Sequence, residues 1–242
     1  MINLDAPEWW MQLPVLTGPS LSLREVEPGD VDSLFELLTD PQVSQYISPP
    51  PPSVSAFAGF IEWARRQRQA GTCVCFAVVP NALTQPIGLF QVRALEPTFK
   101  VAEWGFAMGH AFWSTGLFQE AAALVAAFAF EQMGVHRLEA RAVVGNARGN
   151  RVLEKIGARG EAELRKAFNN KDPQFLWAMV AEEWTPPEVT PRSVFDAAKI
   201  KRQIQAAIAQ QKSSSKPPSR PSTARPFPFF LTKASDDPPE DQ

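Results

Sequence analysis

The sequence predicts an α+β fold, a mixed central β-sheet flanked by helices, in a single domain with a disordered C-terminal tail. Three observations carry this. Strand-like and helix-like stretches alternate over residues 20–184 in the order β-α-α-β-β-β-α-β-α-β-β, without internal repeats. The 242-residue chain is 45% apolar, which suffices for one sizeable core. Ten of its 23 prolines lie after Trp184, with SSSKPPSRPSTARP and the acidic end DDPPEDQ, a composition that cannot offset chain entropy. The expected organisation is an N-terminal extension (1–19), the domain (20–184) and a tail (185–242) in which only 193–211 has the residues of a helix.

Residues 21–26 alternate as a half-buried strand does. Asp30 stands where an N-cap is wanted, ahead of Val31, Leu34, Phe35 and Leu38 at helical spacing. A second helix follows the proline run 49–52, with Phe57, Phe60, Ile61 and Ala64 on one face and Gly71 as its stop. Residues 72–79, 85–95 and 100–108 read as three strands joined by short turns. A helix over 117–133 buries Leu117, Ala121, Leu124, Val125 and Phe128. The strand HRLEARAVV, the short helix NRVLEKIG ending at Gly157, and two last strands running to AEEW complete the domain.

Charge narrows the function. The formal net charge of −2 is uneven: residues 185–242 hold nine Lys/Arg against six Asp/Glu, leaving fifteen against twenty elsewhere. A body that acidic argues against nucleic acid as the main ligand and mildly favours a cationic substrate. The longest apolar run, 121–130, is far short of the roughly 18 residues of a membrane span, so no membrane partner is expected. The opening MINLDAPEWWMQLP lacks a basic start and an apolar h-region, which points to the cytoplasm. Cys73 and Cys75, at i and i+2 of a strand, are poorly placed for a mutual disulfide. No Cys/His group of ligand spacing lies near them, so they read as packing residues and no metal is expected.

One stretch carries chemistry. FWSTGLFQEA, residues 112–121, joins the strand VAEWGFAMG to the helix that follows. A strand, a Ser/Thr/Gly turn and a helix N-terminus form a cradle of backbone N–H groups of the kind that holds phosphate. Gly116 either lets the backbone approach a phosphate closely or simply eases a tight turn.

At this point the chain resembles the GNAT superfamily of N-acetyltransferases, in its RimJ/RimL-like branch. The resemblance spans residues 20–184 and rests on four matches in order: LSLREVEPGDVDSLFELLTDPQVSQYI, AEWGFAMGHAFWSTGLFQEA, FEQMGVHRLEARAVVGNARGNRVLEKIGA and AEEW. It implies acetyl-coenzyme A as co-substrate, and a primary amine, on a protein N-terminus or a small molecule, as acceptor. Backbone N–H groups of Trp113, Ser114, Thr115, Gly116, Leu117 and Phe118 are implied to bind the pyrophosphate. Phe106, Ala107 and Met108 are implied to line the pantetheine arm and polarise the carbonyl. Phe118 departs from the pattern, which has Gly or Ala there.

Acetyl transfer needs a deprotonated amine, a polarised thioester carbonyl and a protonated leaving thiolate. By resemblance Glu103 is the candidate base, and its bland alternative is a solvated strand glutamate. Asn146 matches the Asn of the family's N-x-x-S pattern and is implied to contact the pantetheine arm or the acceptor, a role compatible with capping the next helix. The Ser of that pattern is Gly149 here, and the chain's one tyrosine, Tyr46, lies between the first two helices, where it is expected to contact the acceptor. The alternative reading is a non-catalytic acyl-coenzyme A-binding or scaffold protein of the same fold that works through its tail. His110 and His136 are expected to be structural.

Overall fold

Strands whose alternate residues are both apolar require a cover on each face. The computed structural model describes residues 8–169 and 171–186. Its strands are β1 (Leu16–Thr17), β2 (Leu21–Glu25), β3 (Cys73–Pro80), β4 (Gly88–Ala94), β5 (Val101–Met108), β6 (Arg137–Val143), β7 (Arg159–Phe168) and β8 (Asp172–Val180). They form one sheet in the order β1-β2-β3-β4-β5-β6-β8-β7. All neighbours are antiparallel except β5 and β6, which run parallel. The helices are α1 (Val31–Leu38), α2 (Pro41–Ser44), α3 (Val54–Gln69), α4 (Leu117–Ala127) and α5 (Ala147–Lys155). Among the described residues no helix is long and apolar enough to cross a membrane.

Strand β3 is buried along its whole length and serves two cores. Val74, Phe76 and Val78 face a layer that includes Leu117, Ala121 and Val125 of α4, with Phe76 edge-on to Phe128 at 5.2 Å. Cys75, Ala77 and Val79 face Leu34 and Leu38 of α1 and Phe57, Phe60 and Ile61 of α3. The α+β prediction and the order of its main elements therefore hold, and the cause is the period-2 and period-3.6 patterning of the same side chains.

Several local expectations need correction. Residues 8–17 are part of the body: β1 pairs with β2, and Trp9 and Leu13 enter the larger core, Trp9 lying edge-on to Phe99 at 5.5 Å. The side chain of Asp30 does not cap α1. It accepts both Arg24 guanidinium nitrogens at 2.7 Å and the Glu27 N–H at 2.9 Å, a stronger charge-assisted set than one N-cap bond. Regular α-helix ends at Ala127, and Phe128–Gln132 continues as a π turn; Leu124 is only partly buried, whereas Phe128 reaches the core. The short helix α2 was not expected. The anticipated helix at 193–211 and most of the tail lie outside the described residues.

Candidate functional site

The site begins with a conflict over pairing. Strand β6 follows β5 for three residues only, Val101↔Arg137, Ala102↔Leu138 and Glu103↔Glu139. It then keeps its seven-residue pairing with β8, while β5 stays with β4 as far as Met108. From Trp104 onward the two parallel strands separate, and the β5 edge that faces β6 has no strand partner. The sheet is forked, and among the described residues the far part of that β5 edge has no strand to take its backbone polar groups, one of which, Met108 C=O, accepts a side chain instead.

A cleft of about 100 Å³ opens at the base of this fork. Glu103, Gly105 and Phe106 line it from β5, Arg141 from β6, Asn146 and Gly149 from the start of α5, Gln174 from β8, and Tyr46 from the segment after α2. The helix α2 that precedes Tyr46 is anchored at its N-terminus by polar contacts. The Asp40 carboxylate accepts the Gln42 N–H at 2.7 Å, capping α2, and lies 3.0 Å from His110 Nδ1 in the turn after β5. His110 is thereby a structural link, as is His136, whose Nε2 lies 3.1 Å from Lys100 Nζ.

Glu103 is 2% exposed. One carboxylate oxygen accepts Arg93 at 2.7 Å from β4, and the other accepts Arg141 at 2.6 Å from β6. The reading of Glu103 as a solvated strand residue is therefore excluded: its carboxylate spans the base of the fork. The cleft's carboxylate is charge-compensated, so the acidity of the body does not carry into the cleft. The polar row continues along β6, where Arg137 reaches Glu139 at 2.8 Å and Glu161 at 2.5 Å. Arg137 holds the Glu161 carboxyl below its usual range.

Asn146 caps α5, its Oδ1 accepting the Gly149 N–H at 2.9 Å. The same amide fills the space over Gly149: a Cβ there would lie 2.6 Å from Asn146 Nδ2. Gly149 thus accommodates the cap, and a serine at 149 would require Asn146 to move.

The loop after β5 brings the N–H groups of residues 113–118 together, and two of the six are engaged within the protein. Ser114 has φ +63° and Gly116 φ +90°, successive turns that gather N–H groups ahead of α4. Among the described residues the N–H groups of Ser114, Thr115, Gly116 and Phe118 have no acceptor, whereas Trp113 N–H is spent on His110 C=O at 3.1 Å. Leu117 N–H makes a long bond of 3.4 Å to Thr115 Oγ1. The indole of Trp113 donates to Met108 C=O at 2.9 Å and Thr115 Oγ1 donates to Phe112 C=O at 2.6 Å, which pins the loop to the end of β5. Arg148 of α5 stacks over the Trp113 ring at 4.1 Å, linking the helix after β6 to the loop after β5. Glu120 turns away from the cradle: it is buried and accepts the Ser20 N–H at 2.7 Å.

These features agree with a comparison against protein families. The description of the acetyltransferase (GNAT) domain matches residues 20–159. The chain belongs to the GNAT acetyltransferases. The N-acetyltransferase p20 of Bacillus licheniformis, named as uncharacterized, is 25% identical over 168 residues, covering 68% of this chain and 94% of p20. Among solved structures, a GNAT-family acetyltransferase from Bacillus anthracis has a TM-score of 0.62 at 22% identity, covering 70% of this chain and all of that one. RimL, the ribosomal L7/L12 alpha-N-protein acetyltransferase in complex with coenzyme A, has a TM-score of 0.63 at 16% identity, covering 69% and 98%. At these identities the structural likeness carries the fold. As a GNAT acetyltransferase the chain is an enzyme of the acyltransferase class, and the fold's co-substrate is acetyl-coenzyme A.

Sequence reasoning missed Arg93, Arg141 and Gln174. Arg137, Glu139 and Arg141 at i, i+2 and i+4 of HRLEARAVV were a readable signal, since a period of two puts all three on one face. Gln174, one amide within DPQFLW, gave none.

Proposed function

We propose that this GNAT enzyme belongs to the RimJ/RimL-like branch and transfers acetyl from acetyl-coenzyme A to a primary amine, either a protein N-terminus or a small-molecule amine. The observation that carries the proposal is the fork between β5 and β6, with a free N–H cradle at one end and the cleft holding Glu103, Asn146 and Tyr46 at its base. The name of RimL as an alpha-N-protein acetyltransferase supports the protein N-terminus among the possible acceptors.

Acetyl-coenzyme A supplies the acetyl group as a thioester. In this reading the N–H groups from Ser114 to Phe118, with Trp113 pinning the loop, hold the pyrophosphate beside the positive end of α4. Phe106, Ala107 and Met108 line the end of β5 for the pantetheine arm, where the Met108 C=O is already taken by the Trp113 indole, and a backbone N–H there polarises the carbonyl. A primary amine that is protonated at neutral pH must lose a proton before it attacks. Glu103 is the carboxylate in the cleft and takes that proton, directly or through water, from an orientation fixed by Arg93 and Arg141. Asn146 has its oxygen committed to the cap and presents its N–H₂ to the arm or the acceptor. Tyr46 forms the wall the acceptor meets. Solvent takes the second proton that the nitrogen sheds after attack and protonates the departing thiolate, which is feasible because its thiol pKa is near that of cysteine.

The test is a thermal-shift titration with acetyl-coenzyme A, followed by free-thiol release over a broad panel of peptides and small amines. Protection together with thiol release is the expected result. Protection without release on any amine would return the non-catalytic reading, and absence of protection would remove the cradle from the site.

A further inference from the structure

The Gln174 side chain is an anomaly that the reaction as described does not use. Gln174 is 6% exposed, and its Oε1 is buried with no hydrogen-bond partner among the described residues. It pairs with Val143 across β6 and β8, two residues along from Arg141, which puts it on the same sheet face as Glu103. Its side chain lines the cleft that Glu103 and Tyr46 also line.

An orphaned buried carbonyl destabilises the fold, and natural folds retain few of them. A well-packed methionine or leucine would fill the same space between β6 and β7 without that cost. Bulk water does not relieve this oxygen, because it is screened where it stands. The terminal amide torsion of glutamine is broad, however, and its rotation carries the carbonyl toward the cleft that the side chain lines.

We infer that Gln174 is an acceptor-recognition residue, whose Oε1 accepts an N–H of the amine after Glu103 has taken its proton. This rests on the proposed acetyl transfer and deepens it by specifying the substrate class. A primary amine that has lost one proton still has two N–H bonds, and one of them remains to be held while the lone pair attacks. The charge of the cleft fits this role. Glu103 is already neutralised by Arg93 and Arg141, so the amine is held as a neutral hydrogen-bond donor rather than as a cation. Tertiary amines and hydroxyl-ended analogues without an N–H at that position lack the contact. Gln174 is a positioning and specificity residue; no proton passes through it.

The experiment uses two coenzyme A conjugates, so that it does not depend on knowing the natural acceptor. In one the sulfur carries CH₂–CO–NH–CH₃, and in the other the near-isosteric methyl ester CH₂–CO–O–CH₃. Calorimetry on the full chain should find the amide about fivefold to tenfold tighter than the ester, the worth of one neutral hydrogen bond. In Gln174→Met the ratio should fall to near one, with free coenzyme A bound as by the parent. The unliganded variant should melt about 2–4 °C higher, because the orphan carbonyl is gone. If Gln174→Met does not fold, Gln174→Ala serves for the same ratio. A ratio near one in the parent, or an undiminished ratio in the variants, overturns the inference alone. Failure of coenzyme A itself to bind the parent overturns the proposed function and this inference with it.

Discussion

Replacing Glu103 by glutamine separates the clamp that the carboxylate forms in the fold from the base role proposed for it above. The side chain is 3% exposed and accepts one guanidinium at each oxygen, from Arg93 and Arg141, which are themselves 20% and 19% exposed. Glutamine keeps one carbonyl, but it turns an N–H₂ group toward the other guanidinium, so one of the two bonds becomes a donor facing a donor. Breaking a buried pair costs about 3–5 kcal/mol, and with partners one-fifth exposed the lower end applies, about 3 kcal/mol. At about 2–4 °C per kcal/mol for a chain of this size, Glu103→Gln should melt about 6–12 °C below the parent. Loss of the base should separately lower turnover by about a hundredfold to ten-thousandfold. Arg141→Gln is the comparator, because it opens the same clamp and leaves the carboxylate; it should lose stability yet keep turnover within about tenfold. The assay is thiol release with the parent's best acceptor, at a temperature where all three proteins are folded, from neutral to alkaline pH. Alkaline pH should partly rescue Glu103→Gln, since about tenfold more of the amine is deprotonated per pH unit below its pKa. If Glu103→Gln stays within about threefold of the parent at neutral pH, or if Arg141→Gln falls as far and neither is rescued, the carboxylate is a fork clamp and the amine loses its proton elsewhere.

Three shorter expectations follow from other parts of the molecule. Gly116→Glu should abolish thermal protection by coenzyme A, because φ of +90° strains any side chain there and a carboxylate would stand against the pyrophosphate; equal protection would remove the loop from the site. Trp9→Ala should cost about 3–5 kcal/mol in chemical denaturation, as expected for a core tryptophan, whereas a loss below about 1 kcal/mol would restore residues 8–17 to the status of an appendage. Burial pushes the Cys73 thiol up to about 12, so the folded state keeps a proton that the unfolded thiol releases near 8.5–9. Its contribution is intact below that range and lost as pH rises toward 12, by up to about 1.4 kcal/mol per unit. Cys73→Ala should accordingly show a shallower alkaline decline than the parent, and identical slopes would refute this.

What could be read beforehand divides along the range of the forces involved. The helices α1, α3 and α5 and the strands β3 to β6 were legible because each is set by local periodicity and by punctuation such as Gly71 and Gly157. The cradle was legible for the same reason: Ser114, Thr115 and Gly116 are neighbours in sequence. The Arg93–Glu103–Arg141 clamp was not, since its members lie 10 and 38 residues apart and meet only through the register of three strands. The fork itself is invisible in any single strand, because it arises where β6 must follow either β5 or β8. Trp9 and Leu13 were assigned to an extension because a two-residue strand has too little sequence to show a period. Asp30 had the right position for a cap, and Arg24, six residues earlier, competed for the carboxylate and won.

Phe118 shows how a departure from a family pattern can be absorbed. A benzyl group in the first turn of α4, where the family has Gly or Ala, threatens to fill the cradle if it points outward. Here its ring meets Phe106 at 4.6 Å in a T-shaped contact and Phe90 at 5.2 Å, so it lies against β4 and β5 and its N–H remains free. The cradle depends on the backbone and tolerates the side chain. The consequence falls further along the fork, because Phe106, now backed by Phe118, is also a wall of the cleft. An aromatic pair of this kind is worth about 0.5–1.5 kcal/mol beyond its burial and resists displacement. The ring that leaves the loop's backbone N–H groups clear therefore stiffens the Phe106 wall of the cleft, and on the placement of acetyl-coenzyme A proposed above a bulky acyl group would have to displace that pair to enter.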